Sequence, residues 1–176
     1  MRRFAIGVAL SCLSALAVAA DPAEIAKKMV GYEYTATRDP LPGLDGCVNE
    51  GVNEGMISDE FGYAIIRCGK DYFLTLGRGK VSSLPHYHIL DAIVLPKHDY
   101  YATSRDNKSK QLVLGRMMCE FDGDSETEML VLLRWGKQER VTSKNGVLAA
   151  WGYDLEKGKI ISLDISHIVC EKPDEP

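Results

Sequence analysis

The sequence predicts a mainly β, β-rich α+β fold: a single antiparallel sheet or sandwich, or a partly open barrel, with one short N-terminal helix. Three observations predict it. Several short runs alternate apolar and polar residues with period two, Gly-, Asn- and Asp-containing turns separate them, and only one segment carries helix-terminus chemistry. The plainest run is Gly146 to Cys170, where two alternating stretches flank Glu156-Lys157-Gly158-Lys159 as in an antiparallel hairpin with one buried side. Trp151, Tyr153 and Leu155 share a face of its first strand. Ile161, Leu163 and Ile165 are expected to share the buried face of the second, with His167 continuing it into the core.

Residues 1–20 read as a signal peptide: Arg2 and Arg3 form a positive start, Phe4 to Leu16 an apolar stretch, and Ala17-Val18-Ala19 a small-residue cleavage pattern. The apolar stretch is too short and Ala-rich to remain as a membrane span. Cys12 lacks a usable lipidation context. The short Ala-rich leader is bacterial in style, which directs the mature protein to the periplasm or outside the cell, the periplasm being the expected location. Residues 21–176 are then expected to form one disulfide-stapled, β-rich domain.

Asp21-Pro22-Ala23-Glu24 opens a helix of about two turns, with Asp as cap, Pro at the first position, Lys27 and Lys28 near the end, and Gly31 beyond it. Tyr32 to Thr37 alternates as a strand. Arg38 to Gly55 is rich in Pro and Gly and reads as a long loop, containing the tandem tetrapeptides Val48-Asn49-Glu50-Gly51 and Val52-Asn53-Glu54-Gly55. Phe61 to Cys68 and Tyr72 to Leu76 flank Gly69-Lys70-Asp71 as a hairpin. Ile89 to Leu95 is an apolar run broken by Asp91, suited to a buried strand or a helical turn. Leu112 to Phe121 and Met129 to Trp135 are strong strands joined by the acidic Asp122 to Glu128. Arg140 to Thr142 and the Asn145-Gly146 turn lead into the final hairpin, giving about seven to nine strands in all.

Cleavage of the leader removes two arginines and no acids, so the formal charge of −4 becomes −6. An acidic chain does not favour nucleic acid or anionic membranes, and it permits a cationic protein partner. Four cysteines remain: Cys47, Cys68, Cys119 and Cys170. An even count in an exported chain reads as two disulfides, and three connectivities are open. Pairing neighbours along the chain, Cys47–Cys68 with Cys119–Cys170, is the preferred one.

Chemistry-bearing motifs are few. His86-Tyr87-His88 has ligand spacing, since residues two apart leave the same face of a strand, and His98 is near enough in sequence to complete a metal site. The pair resembles the H-x-H of the first cupin motif. Gly79 is one residue out of register with that motif, Asp91 stands where it has glutamate, and its second part is missing, so no family is assigned. The simpler reading is a surface strand with two ordinary histidines. The turn Asp122 to Glu128 fails as an EF-hand, whose sixth and twelfth positions would be Thr127 and Leu133 rather than Gly and Glu. No nucleophile elbow occurs. Lysozyme-inhibitor signatures of the serine-glycine-x-x-tyrosine kind are also absent.

These readings point to an exported periplasmic protein-binding module rather than an enzyme, with no cofactor. Its most concrete form is an inhibitor or immunity protein that occludes a cationic toxin or cell-wall hydrolase. The candidate contact residues are Asn49, Glu50, Asn53 and Glu54 on the repeat, Tyr100 and Tyr101 in a polar stretch, and Asp122, Asp124 and Glu126 on the acidic turn. A metal-binding protein or metal-dependent enzyme using His86, His88 and His98 is the alternative.

Overall fold

Asp21 caps the first helix, α1 (Pro22–Met29), by accepting the Ala23 N–H at 3.0 Å, and Pro22 takes the first position, where no N–H is needed. Gly31, at φ +86°, turns the chain away after it. So short a helix has no stability alone. It is held by burying Ala26 and Met29 against the first sheet. The computed structural model describes residues 21–35, 41, 43–80, 86–96, 110–114, 118–134 and 137–172, without the side chains of 35, 50–53, 80, 86 and 110–114. The expected signal segment, Tyr100, Tyr101, His98 and Trp135 lie outside the described residues.

The first strands are β1 (Glu33–Thr35), β2 (Cys47–Met56), β3 (Phe61–Cys68), β4 (Asp71–Lys80) and β5 (His86–Val94). They form one antiparallel sheet in the order β1-β5-β4-β3-β2, curled into a half-barrel. Next come β6 (Lys110–Leu114), β7 (Cys119–Phe121), β8 (Met129–Arg134), β9 (Arg140–Thr142), β10 (Val147–Asp154), β11 (Lys159–Ser162) and β12 (Ile168–Glu171). Of these, β11-β10-β8-β6 make a four-stranded sheet and β7-β12-β9 a three-stranded one. The fold is mainly β with a short helix, as the sequence predicts.

The layers stack as helix, five-stranded sheet, four-stranded sheet and three-stranded sheet, and alternation along single strands shows how. On β3, Ala64 and Ile66 join Met29 and Phe73 beneath α1, while Tyr63 and Ile65 join Leu130, Leu132 and Trp151 of the four-stranded sheet. On β8, Leu130 and Leu132 face that same interface. Met129, Val131 and Leu133 face the opposite way, onto Cys119, Val141, Ile168 and Cys170. Strands buried on both sides read as continuous apolar runs, which is why Phe61–Cys68 and Met129–Arg134 show so little polarity.

Asp91 is the polar exception at the sheet-to-sheet seam. Its side chain is only 14% exposed; its carboxylate accepts the Ile160 N–H at 2.9 Å and the Lys159 ammonium at 3.0 Å. The edge of the β10–β11 hairpin is thereby fixed to β5. The residue that interrupts the apolar run Ile89 to Leu95 is the one that docks the next sheet.

Both disulfides join residues that are direct partners in the ladders: Cys47 with Cys68 across β2–β3, and Cys119 with Cys170 across β7–β12. They realise the preferred neighbour pairing. They span 21 and 51 residues of sequence, for which loop-closure entropy gives about 3 and about 4 kcal/mol. Two such bridges belong to an oxidising, extracellular compartment. Among the described residues no helix is long and apolar enough to cross a membrane.

Several expectations are corrected. The chain from Cys47 to Gly55, expected to lie in a long loop, belongs to strand β2. The stretch Leu112 to Phe121 is not one strand, because β6 and β7 belong to different sheets, and the acidic turn therefore links sheets rather than closing a hairpin. Twelve strands occur among the described residues, since long apolar runs are divided between sheets. The final hairpin pairs Trp151 with Ser162 and Tyr153 with Ile160, so Ile160, not Ile161, faces the core. The turn at Gly158 sets that register, and a shift of one residue exchanges the faces. The hairpin stops at Ser162, and Cys170 lies in β12 of another sheet.

Ile160→Ala is expected to cost about 2–4 kcal/mol, whereas Ile161→Ala, at a side chain that is 42% exposed, should cost under about 1 kcal/mol. Urea denaturation of the two variants measures the contrast, and equal losses would place Ile161 in the core instead. Asp91→Ala should cost about 1–3 kcal/mol by leaving the Ile160 N–H without its acceptor, with the same measurement as the check.

Candidate functional site

The acidic turn is a rigid object. After β7, Asp122 adopts a left-handed conformation at φ +53° and Gly123 follows at φ +81°. Phe121 and Asp124 exchange main-chain hydrogen bonds at 3.0 and 2.9 Å across the turn. Asp124 then accepts the Glu126 N–H through Oδ1 at 2.9 Å and the Thr127 hydroxyl through Oδ2 at 2.9 Å. One end is anchored by the adjacent Cys119–Cys170 bridge and the other by the buried start of β8. Asp122, Asp124 and Glu126 are all exposed on it.

His167 braces the turn from the other side. It ends a short 3-10 turn, Ile165–His167, capped by Asp164, and its carbonyl accepts the Asp122 N–H at 3.0 Å. Its Nδ1 meets Asp122 Oδ1 at 2.5 Å, and its Nε2 lies 3.8 Å from Asp164 Oδ2. The Asp122 contact holds the imidazole above its usual pKa. Hydrogen bonds from the Ser166 amide and hydroxyl hold the Asp164 carboxyl below its usual range. The expectation that His167 lies in the core is corrected: its side chain is 48% exposed, because the strand ends before it and the 3-10 turn swings it outward. Ser166 donates its hydroxyl to Asp164, so the Ser-His-Asp set forms an electrostatic brace without an activated nucleophile.

The repeat segment is divided by β2. Asn49 is 1% exposed, and its amide donates to Glu54 Oε2 at 3.1 Å, so it positions that carboxylate from within the fold. Residues 50–53, including Glu50 and Asn53, form a bulge between the Asn49–Ile66 and Glu54–Ala64 pairs. Glu54 is half-buried and acts electrostatically on Tyr34 and Tyr87, which face each other across β1–β5 with ring centroids 5.5 Å apart. Burial raises both phenol pKa values, with Glu54 adding to it; on Tyr34 a Thr75 hydrogen bond opposes the rise.

Tyr87 lies flat over Gly77 and Gly62 and reaches Met56 Sδ with its hydroxyl at 3.0 Å, spanning β5 to β2. A Cβ on Gly62 would meet the Tyr87 ring at 2.9 Å, so this contact requires glycine. Sequence reasoning missed Tyr34, Tyr87 and Met56. The signal was Gly62 and Gly77 inside strong strands, where glycine marks close approach of another group.

A pair of tyrosines runs between the two acidic segments. Tyr63 of β3 stacks on Tyr153 of β10 with centroids 6.2 Å apart. Gly55 lies against the Tyr63 ring, and Glu128, at the end of the acidic turn, acts on the Tyr153 hydroxyl. Burial, Tyr63 and Glu128 together push the Tyr153 pKa well above its usual value. That hydroxyl is buried and has no hydrogen-bond partner among the described residues. A two-tyrosine stack thus connects the Glu54-Gly55 end of β2 to the Asp122–Glu128 turn.

The histidine pair falls elsewhere. His86 and His88 both lie on β5, where the ladder pairs them with Lys80 and Arg78. His88 Nδ1 is 3.8 Å from Glu33 Oε1. Among the described residues no three His, Cys, Asp or Glu side chains converge as metal ligands. Comparison with known protein families, curated proteins and solved structures finds no match.

A raised folded-state pKa makes the charged His167 stabilising at pH below the unfolded value of about 6.5, and the contribution is lost as pH rises through the folded value. NMR titration of the imidazole should give a midpoint above that of an exposed His. Asp122→Asn should return it toward the ordinary value; an unchanged midpoint would remove Asp122 as the cause. Tyr153→Phe deletes a buried hydroxyl that has no partner among the described residues and should leave stability unchanged or raise it by up to about 1 kcal/mol in thermal unfolding.

Proposed function

We propose that the chain is an exported periplasmic protein-binding module, an inhibitor or immunity protein that blocks an envelope- or cell-wall-targeting enzyme by steric occlusion. The observation that carries the reading is the braced acidic turn, with Asp122, Asp124 and Glu126 presented on a disulfide-anchored support and connected through Tyr153 and Tyr63 to the repeat strand. A turn already fixed in shape loses little conformational freedom when it binds, which favours affinity. Its carboxylates complement a basic surface and steer encounter with it. Asp122 is engaged with His167, and Asp124 spends its oxygens on the turn itself, so Glu126 is the acid best placed for a partner and the other two hold its frame. Tyr100 and Tyr101 remain candidate anchors in this reading.

Immobilised protein should retain a basic protein from envelope extract, with retention falling as ionic strength rises from about 0.1 to 1 M. Glu126→Lys should weaken that capture about tenfold without altering the melting temperature. Retention that is absent, or indifferent to both salt and charge reversal, would end the proposal.

A further inference from the structure

The tandem repeat gives β2 more than one way to pair with β3. Asn49 pairs with Ile66 and Glu54 with Ala64, so residues 50–53 stand against Ile65 alone, and β2 carries the surplus as a bulge. Beyond the bulge, Gly55 pairs with Tyr63, whose ring lies on it: a Cβ there would meet the ring at 2.7 Å and the hydroxyl at 2.8 Å. A side chain opposite Tyr63 would therefore have to push its ring aside, and glycine alone leaves the ring where it lies. Gly51, four residues earlier and with the same Val-Asn-Glu before it, meets the same demand.

We propose that β2 is a sliding strand, able to exchange Glu54-Gly55 for Glu50-Gly51 opposite Ala64-Tyr63. A slip of four residues is even, so every side chain returns to the face its counterpart occupied, whereas an odd slip would turn the acid into the wrong layer. The slipped ladder runs Asn49–Ile66, Glu50–Ala64, Gly51–Tyr63 and Val52–Gly62. It replaces the four-against-one bulge by Ile65 alone unpaired on β3, and residues 53–56 join the turn before Phe61. The Cys47–Cys68 bridge pins the other end, so only the distal half moves. The register in the structure is the favoured one because it alone puts Met56 under the Tyr87 hydroxyl and keeps the Ile57 N–H bonded to the Phe61 carbonyl at 2.9 Å. The consequence is that β2 presents residues 50–53 in one register and residues 53–56 in the other.

Glycine substitutions test the slip. Gly55→Ala blocks the observed register, and the chain should fold by sliding, so that NOEs from Gly51 Hα to the Tyr63 ring replace those from residue 55. Gly51→Ala alone should leave register and melting temperature near wild type. The double variant has no register left, and its loss in melting temperature should exceed the sum of the single losses. Removing one tetrapeptide, residues 52–55, should give a folded protein with both disulfides, since a single copy satisfies the slipped ladder with Met56 retained. Additive single losses, a Gly55→Ala protein that keeps residue 55 against Tyr63, or a single-copy protein that does not fold would each overturn the proposal.

Discussion

Burial of both faces of the central strands is the constraint on which this structure depends. On β3 and β8 successive side chains serve different cores, so neither strand can change register or twist without disturbing layers on both sides. That is why the polar atoms inside are so closely placed. Asp91 takes one main-chain N–H and one ammonium from the β10–β11 hairpin, and Thr75 donates its hydroxyl to the Ala64 carbonyl at 3.1 Å. Each satisfies a group that would otherwise be costly in a dry seam.

The same constraint explains the glycines. A tyrosine laid flat across neighbouring strands covers main chain that would normally carry a side chain. Tyr87 therefore needs Gly62 and Gly77, and Tyr63 needs Gly55. These contacts lend β2 its tolerance of repetition, because a repeated glycine is what a second register requires. They also carry the tyrosine stack toward Glu128, so an acidic turn on one sheet and an acidic repeat on another end up connected.

Much of the fold was legible residue by residue. The Asp21 cap, the Gly69-Lys70 hairpin turn, the buried Trp151 and the presence of two disulfides all follow from local chemistry or from counting. The errors share one cause. Alternation identifies a two-faced strand but not which sheet covers each face, so Ile161 read as buried and Ile160 did not, and one run from Leu112 to Phe121 concealed a change of sheet. In the candidate site, Asp122, Asp124 and Glu126 were visible as an acidic turn. The brace from His167 was not, because its partner is 45 residues away in sequence.

By itself, then, the sequence determined the helix, the strand-rich class, the disulfide chemistry and the acidic turn, since each depends on neighbours in the chain or on a parity of cysteines. The tertiary structure alone decided the stacking of three sheets, the burial of Asn49, the outward swing of His167 and the use of the repeat as a bulged strand. Those outcomes depend on which distant surface arrives to cover a face. A period of two cannot encode that choice.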